Sequence, residues 1–350
     1  MNRLVNKITI NQYGRLREIK NFFQGERIEI ENTNNKKFWF LDAPKYGNVG
    51  DQAIAYAIIT FLCEYFPKYE ISVIHEEQCI SNLAKLKAYI KPHDIIILQG
   101  GGNFGNLYPP YEYVRRKIVS TFNNNKIVIF PQSVYFTKGH RGTYELAIAK
   151  KIYSNNNNVY IFARELESFE FLKKNLKNVH IAASPDIVFY LKGKIQESNR
   201  EGLGICLRQD NEKISFTDEQ REFIKEQKDK YNIVKNIDTI IQNNNITECD
   251  RENIVLSKLR EFASCELIIT DRLHGMIFSY ITGTPCVFFD SKTKKSTNIY
   301  RSWLKNNKYV IDFSEIRENI QNNKDLNFDF SSIRRAIEED YENSDTFIMS

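Results

Sequence analysis

Short apolar runs alternate with amphipathic stretches over most of the 350 residues, and few folds accommodate this alternation. Runs such as 94–98 (DIIIL) and 126–130 (KIVIF) have the length and the β-branched content of buried strands. The stretches between them repeat apolar residues at helical spacing. Because strands and helices alternate, the sequence predicts an α/β fold with parallel sheets. The predicted strands are 37–41, 70–74, 94–98, 126–130, 159–162, 179–182, 203–207, 232–237, 267–270 and 286–289.

A polar stretch at 192–202 (KGKIQESNREG) interrupts the alternation and has the composition of a linker. A chain of this length exceeds the size at which one hydrophobic core usually suffices. We therefore predict an N-terminal Rossmann-like domain over 1–192, a C-terminal Rossmann-like domain over 200–325, and a C-terminal helix and tail over 326–350. The two domains are expected to face a cleft, and the last helix is expected to pack back on the N-terminal domain.

The charge balance excludes some partners. Forty-nine Lys and Arg residues oppose 44 Asp and Glu residues, which gives a net charge of +5 with both signs interspersed. This excess is too small to indicate a nucleic-acid partner, but it suits a small anionic substrate or weak attraction to an acidic membrane surface. The N-terminus lacks the apolar segment of a signal peptide, so we expect a cytoplasmic location. The six cysteines show neither CxxC pairs nor histidines at ligand spacing, so we expect free thiols and no metal site.

Ligands of parallel sheets bind at the carboxyl ends of strands, so the residues that follow the predicted strands are the candidate site. Gly47–Asp51 (GNVGD) follows strand 37–41 and precedes a helix. Asn48 and Asp51 flank the predicted helix start, where a side-chain oxygen can accept from free N–H groups. Two roles are open for Asp51: the N-cap of the helix, or a base for a sugar hydroxyl.

Gly100–Gly102 follows strand 94–98 and precedes Asn103. Glycines at a strand end let a phosphate or a sugar approach bare backbone, so Gly101, Gly102 and Asn103 are candidate ligand contacts. The spacing differs from the GxGxxG dinucleotide fingerprint and from the GxxxxGK[ST] phosphate loop. Nicotinamide and ATP are therefore disfavoured.

Three arginines follow predicted strands and are candidate anion ligands. Arg164 follows 159–162, although it also has Glu165 and Glu167 as surface partners. Arg208 follows 203–207, and Arg272 stands between strand 267–270 and a helix in the segment Asp271-Arg272-Leu273-His274-Gly275. His274 shares that helix start, and an imidazole suits proton transfer near neutral pH. Lys294 and Lys295 lie in a later loop and receive no assignment.

Together these motifs resemble the polysaccharide pyruvyl transferase family. The segments that carry the resemblance are Gly47–Asp51, Gly100–Gly102, Pro131–Ser133, Ala163–Glu165 with Ser168, Pro185–Asp186 and Asp271–Gly275. The resemblance implies two Rossmann-like domains in a GT-B-like arrangement. It also implies transfer of pyruvate from phosphoenolpyruvate to sugar hydroxyls of a bacterial polysaccharide precursor, usually as a cyclic ketal, with no other cofactor and no metal.

The resemblance also implies site residues. Arg164, Arg272 and His274 match the family's donor-binding and catalytic positions, and Asn48 and Asp51 lie in its N-terminal loop. Leu273, between Arg272 and His274, is a further candidate substrate contact. His274 can act as acid, base or phosphate ligand, and the sequence leaves the three open. The acceptor is expected on a lipid-diphosphate carrier, with peripheral association at the inner membrane face.

Two other functions remain open at this level. A GT-B glycosyltransferase with a nucleotide-sugar donor would show the same domain plan. No residue stands out as the acceptor for a ribose hydroxyl, and Asp238 and Glu248 are the candidates. A non-catalytic protein that binds anions or glycans would also retain the arginines.

Overall fold

The computed structural model describes residues 9–24, 27–30, 35–195, 199–209, 215–290, 294–307, 309–316 and 330–345. The chain forms two compact units. Unit 1 contains the described residues within 1–45, 58–187 and 329–350, and unit 2 contains those within 46–57 and 188–328. Each unit has its own parallel sheet, so the predicted α/β class with parallel sheets is confirmed.

The unit 1 sheet has the order β2-β1-β3-β5-β6-β7, and every strand pair in it is parallel. β4 pairs with the second half of β5, beyond the part that pairs with β3. The strands are β1 (Lys37–Ala43), β2 (Glu70–His75), β3 (Ile95–Leu98), β4 (Gly101–Gly105), β5 (Lys126–Tyr135), β6 (Val159–Ala163) and β7 (His180–Ala183).

Helices flank this sheet, and both faces of β1 and β3 are buried. The helices are α1 (Ile10–Gln24), α2 (Val49–Tyr65), α3 (Glu76–Ser81), α4 (Leu83–Tyr89), α5 (Pro109–Thr121), α6 (His140–Tyr153) and α7 (Leu166–Asn175). Strands covered on both faces read as unbroken apolar runs, which is why the sequence identified them. The first residues of α2, through Ala57, belong to unit 2.

The unit 2 sheet is smaller, with the order β12-β11-β10-β8-β9 and parallel pairing throughout. A 3-10 turn (Ile187–Leu191) precedes it. Its elements are β8 (Leu203–Cys206), α8 (Asp218–Lys230), β9 (Val234–Asn236), α9 (Glu248–Ala263), β10 (Leu267–Thr270), α10 (Leu273–Ile281), β11 (Cys286–Phe288), α11 (Lys295–Ile299), a π-helical turn (Tyr300–Leu304), β12 (Val310–Asp312) and a 3-10 turn (Phe313–Glu315).

Two segments differ from the sequence-based expectation. The linker 192–202 lies partly outside the described residues, and the contacts divide the chain before it, between Ile187 and Val188. Gly47–Asp51, assigned from sequence to the N-terminal domain, contacts residues of unit 2. Hydrogen bonds between separate stretches of chain cause this grouping, and such bonds leave no trace in local sequence patterns.

The last helix, α12 (Ser331–Asp345), packs on unit 1. Ile333 and Ile337 are buried, and the Lys126 Nζ of β5 donates to the Ala336 carbonyl at 2.6 Å. Residues 317–329 and 346–350 of the predicted tail lie outside the described residues. Among the described helices, none is long and apolar enough to cross a membrane.

A buried ionic network lies under β4 and α5 in unit 1. Glu112 is fully buried, and its carboxylate accepts from Arg115 Nη1 at 2.7 Å, from Arg116 Nε at 2.9 Å and from the Tyr153 hydroxyl at 3.1 Å. Arg116 continues the network to Glu145 at 2.7 Å. The i, i+3 and i, i+4 spacing of these residues equally describes a solvated helix face, so the sequence could not identify them as core.

Asp42 lies at the carboxyl end of β1 with a positive φ of 69°. Its Oδ1 accepts from the Gln99 N–H, just beyond β3, at 2.7 Å. Burial raises the pKa of Asp42 from 3.8 to about 7, and the nearby Arg115 charge and the Gln99 N–H offset only part of that rise. Folding therefore favours the protonated carboxyl.

This raised pKa predicts a pH-dependent stability difference between the wild type and Asp42→Asn. A group whose pKa is higher in the folded than in the unfolded state contributes its full stabilisation at a pH below its unfolded-state pKa. It loses this stabilisation as the pH rises through its folded-state pKa. Relative to the asparagine variant, the wild type should lose on the order of 4 kcal/mol of unfolding free energy between pH 4 and pH 8, at about 1.4 kcal/mol per pKa unit. Asparagine keeps the Oδ1 acceptor and tolerates positive φ. Urea unfolding of both proteins at the two pH values measures this, and an equal difference at both would contradict it.

Candidate active site

The polar residues of unit 2 gather where β8 and β10 lie side by side. In the sheet, β8 has β9 as its neighbour on one side and β10 on the other. The strand order therefore changes direction between β8 and β10. Open parallel sheets bind ligands at such a point. The Asp271 Oδ1, just after β10, accepts from the Arg208 N–H, two residues after β8, at 2.7 Å. This bond joins the two strand ends.

Asp271 is buried, with 1% of its surface exposed. Burial raises the pKa of its carboxyl, and the Arg208 N–H and the charges of Arg208 and Arg272 counteract that rise. Its second oxygen, Oδ2, is buried and accepts no hydrogen bond from the residues that the structure describes. Asp271 therefore orders the β8 strand end and retains one acceptor.

Arg272 is the N-cap residue of α10 and is 7% exposed. Its Nη2 lies 3.0 Å from Asp238 Oδ1, in the loop after β9, while its buried Nε has no partner within the described residues. Asp238 Oδ1 also accepts from the Ile240 N–H at 2.9 Å. The guanidinium is thus held by one half-exposed carboxylate and keeps a free donor.

The first turn of α10 sits close against β10 because Gly275 has no side chain. A Cβ at Gly275 would lie 2.3 Å from Thr270 Oγ1. That hydroxyl donates to the Cys206 carbonyl at 2.7 Å and accepts from the Arg272 N–H at 3.0 Å. The Leu273 side chain is buried, so this residue offers a ligand chiefly its main-chain N–H at the helix N-terminus, which favours anions.

Gly47–Asp51 is fastened to the loop that follows β9. The Val49 N–H donates to the Thr239 carbonyl and the Ile241 N–H to the Gly47 carbonyl, each at 2.8 Å. A Cβ at Gly47 would lie 1.9 Å from the Ile241 oxygen, so only glycine permits this pairing. The loop therefore belongs to the same site as Asp238.

Asn48, and not Asp51, caps α2. The Asn48 Oδ1 accepts from the Gly50 N–H at 3.0 Å, and the helix begins at Val49. The N-cap role considered for Asp51 is therefore wrong. Asp51 is the third helical residue and is partly exposed. Its role as a base for a sugar hydroxyl stays a prediction.

The backbone of Gly50 lies directly against the His274 imidazole. A Cβ at Gly50 would approach the His274 Nδ1 to 2.1 Å. The imidazole is also near the Phe278 ring one turn later, with ring centroids 6.0 Å apart. The loop and α10 together define the position of this side chain.

Behind the loop, a buried polar pair secures the first turns of α2. The Arg251 Nε of α9 donates to Gln52 Oε1, and the Gln52 Nε2 donates to the Tyr46 carbonyl, both at 2.9 Å. Arg251 and Gln52 are almost fully buried. Sequence reasoning missed both because a single Gln and a helical Arg carry no motif.

Arg164 lies in unit 1, where its guanidinium is buried. Its Nη1 pairs with Asp186 at 2.8 Å, and its Nε donates to the Ser133 hydroxyl at 2.8 Å. Glu165, the surface partner considered from sequence, accepts from Ser133 at 2.8 Å and lies 3.9 Å from Arg164 Nε. Three motifs of the resemblance, around Ser133, Arg164 and Asp186, are therefore one hydrogen-bonded network. The donor-binding role of Arg164 stays a prediction.

The predicted glycine turn is a strand. Gly101, Gly102 and Asn103 belong to β4, and Gly101 has a φ of 123°. Sequence reasoning missed this strand because glycines rarely favour one. Asn103 Oδ1 accepts from the Arg115 guanidinium, so its side chain is part of the buried network.

The predicted site residues thus fall into two groups. Unit 2 contains Asn48, Asp51, Arg208, Arg272, Leu273 and His274. Unit 1 contains Arg164, Gly101, Gly102 and Asn103. Sequence reasoning missed Asp271 as a site residue, although its place directly after a strand was a usable signal.

The parallel sheets define an α/β protein with arginines at the strand ends of unit 2, and comparisons with known proteins make this class specific. The family model described as polysaccharide pyruvyl transferase matches residues 48–293. The chain belongs to this family, and it is a polysaccharide pyruvyl transferase by class.

Individual relatives agree with this membership. General stress protein 30 of Bacillus subtilis is 37% identical over 281 residues, covering 79% of this chain and 80% of the relative. Pyruvyl transferase 1 of Schizosaccharomyces pombe is 29% identical over 287 residues, covering 77% and 70%. The crystal structure of an uncharacterised Klebsiella pneumoniae protein matches with a TM-score of 0.54 at 20% identity, over 80% of this chain and 93% of that one. That likeness concerns the fold alone.

Proposed function

We propose that the protein transfers pyruvate from phosphoenolpyruvate to two sugar hydroxyls of a polysaccharide precursor, forming a cyclic ketal and releasing phosphate. The observation that carries the proposal is the strand-end cluster of unit 2. There the Arg272 guanidinium and the His274 imidazole occupy the start of α10, beside the strand end that carries Arg208.

The cluster suits a small, doubly acidic donor. Phosphoenolpyruvate carries a phosphate and a carboxylate, and arginine binds either group through two parallel hydrogen bonds. Arg272 has a free Nε among the described contacts, and the N-terminus of α10 adds main-chain donors. In this proposal the arginines bind the donor before any bond changes.

The chemistry requires one proton delivery and two proton removals. A proton adds to the methylene carbon of the donor, and the adjacent carbon becomes electrophilic. The first sugar hydroxyl forms a bond to that carbon and loses its proton. The second hydroxyl then forms its bond as the carbon–oxygen bond to phosphate breaks, and its proton leaves with phosphate. His274 is assigned proton transfer, and Asp51 is assigned removal of a hydroxyl proton.

The acceptor in this proposal is a sugar on a lipid-diphosphate carrier, met at the inner face of the membrane. The net charge of +5 is compatible with a visit to an anionic surface. Incubating the full chain with phosphoenolpyruvate and a panel of lipid-linked sugars tests this. The expected result is one equivalent of phosphate per acceptor, with an added mass that corresponds to pyruvate less one water.

Both candidate residues of the nucleotide-sugar alternative are paired with arginines. Asp238 is paired with Arg272 at 3.0 Å, and Glu248 lies 3.4 Å from Arg251 Nη1. Each carboxylate thus has an arginine as a competing partner for a ribose hydroxyl. Release of a nucleotide from a nucleotide-sugar, without phosphate release from phosphoenolpyruvate, would overturn the proposed function.

Gly50→Ala should displace the imidazole. The new methyl carbon would stand 2.1 Å from His274 Nδ1, so the ring must move. A displacement near 1 Å at a reacting group costs about 100-fold in rate, so kcat should fall by about that factor. Alanine is a better helix former than glycine, so the helix itself is not weakened. In a double-mutant cycle, Gly50→Ala should have almost no further effect on kcat in a His274→Ala protein, whereas additive losses would contradict this explanation.

A further inference from the structure

A cavity of about 280 Å³ opens at the carboxyl ends of β8 and β9 in unit 2. This side of β8 is opposite to the one occupied by β10. The cavity lining includes Ile205, Arg208, Phe216, Lys228, Ile237 and Asp238. Pockets for drug-sized ligands span about 300–1,000 Å³, so this cavity lies at the small end and suits a small ligand.

The lining combines an apolar floor with a cationic rim. Ile205 and Ile237 are buried, and Phe216 packs on Phe289 with ring centroids 5.1 Å apart. Arg208 and Lys228 bring two positive charges. A small anion with a short apolar part matches both surfaces.

The one carboxylate in the lining is already neutralised. Asp238 Oδ1 lies 3.0 Å from Arg272 Nη2, so the pair cancels its own charge. Lys228, in contrast, forms no ion pair with any residue that the structure describes. Lys228 therefore brings a positive charge to the cavity, and Asp238 places the Arg272 ion pair at one of the cavity walls.

We propose that this cavity holds an anionic group of the pyruvyl donor, with Lys228 and Arg208 as its ligands, and that Asp238 occupies Arg272 until the donor replaces it. The inference rests on the proposed function and adds roles for Lys228 and Asp238 to it. Asp238 is half-exposed, so it can return to water when Arg272 turns to the donor. The buried Nε of Arg272 supplies the second arm of a bidentate grip.

Two substitutions should then change donor affinity in opposite directions. Lys228→Ala removes a ligand and should weaken phosphoenolpyruvate binding about tenfold. Asp238→Asn removes the competing charge but keeps the oxygen that accepts from Ile240 N–H, so binding should tighten about threefold to tenfold. Lys225→Ala is the matched control, because Lys225 is an exposed lysine of the same helix that does not line the cavity.

The test is isothermal titration of the full chain with phosphoenolpyruvate in the absence of acceptor, so that no turnover occurs. Titrations with inorganic phosphate and with pyruvate identify which end of the donor Lys228 contacts. Equal affinities for Lys228→Ala and Lys225→Ala would overturn the inference, and so would weakened binding in Asp238→Asn. Phosphate release by the wild type would still support the proposed function in either case. If uridine diphosphate bound the wild type and Asp238→Asn abolished that binding, the cavity would be a nucleoside site and the inference would be wrong.

Discussion

His274→Ala is expected to lower kcat by a factor of about 10²–10⁴, the usual contribution of one general acid–base group. The imidazole stands at the start of α10 against the Gly50 backbone, and no other described histidine lies in unit 2. The measurement is phosphate release from phosphoenolpyruvate at saturating acceptor.

The matched control for this variant is His140→Ala. His140 is exposed and also begins a helix, α6, so its replacement should leave kcat within twofold. The kinetic constants separate the three roles left open by the sequence. Loss of kcat together with one limb of the pH–rate profile indicates acid or base. A raised KM for phosphoenolpyruvate with kcat retained indicates a phosphate ligand. Unchanged turnover would reject His274 altogether.

Glu112→Ala should lower the free energy of unfolding by about 3–5 kcal/mol or more, because breaking a buried ion pair leaves uncompensated charge in the core. Two guanidinium groups, of Arg115 and Arg116, depend on this carboxylate, and all three side chains are at most 2% exposed. The free energy of unfolding is measured by urea titration, with circular dichroism as the signal. Because the chain has two units, the transition of unit 1 is followed through Trp39 fluorescence in a Trp303→Phe background, since Trp303 lies in unit 2.

Glu170→Ala is the control, since Glu170 is exposed on α7 in the same unit. Its replacement should change the free energy of unfolding by no more than about 0.5 kcal/mol. A change of less than about 1 kcal/mol in the free energy of unfolding of Glu112→Ala would contradict this prediction. The network would then contribute little to stability, because the cost of desolvating its charges would cancel their mutual attraction.

The buried aspartates of the two units occupy comparable positions. Asp42 is the penultimate residue of β1 and accepts from the Gln99 N–H beyond β3, and Asp271 follows β10 and accepts from the Arg208 N–H beyond β8. In each unit the pair of strands is the one at which the sheet order reverses. Parallel strand ends diverge at this point, so a carboxylate that bonds across the gap is a direct way to hold them.

The features that could be predicted from sequence are those that depend on residues adjacent in the chain. An unbroken apolar run such as 94–98 indicates a strand buried on both faces, and it is β3 in the structure. The order of the strand-end motifs identified the family, and membership is confirmed. The sequence failed where glycines form a strand, as in β4, and where separate segments share hydrogen bonds.

Alternating apolar and amphipathic segments determined the α/β class, because that signal depends on short-range periodicity. The ordered motifs carried the resemblance to the enzyme family. Tertiary structure alone decided that Gly50 supports the His274 ring, that Arg272 is paired with Asp238, and that Arg164 is paired with Asp186. Each of these contacts joins residues more than 20 positions apart. Whether such residues meet depends on how strands are ordered in a sheet, and strand order is a property of the folded chain.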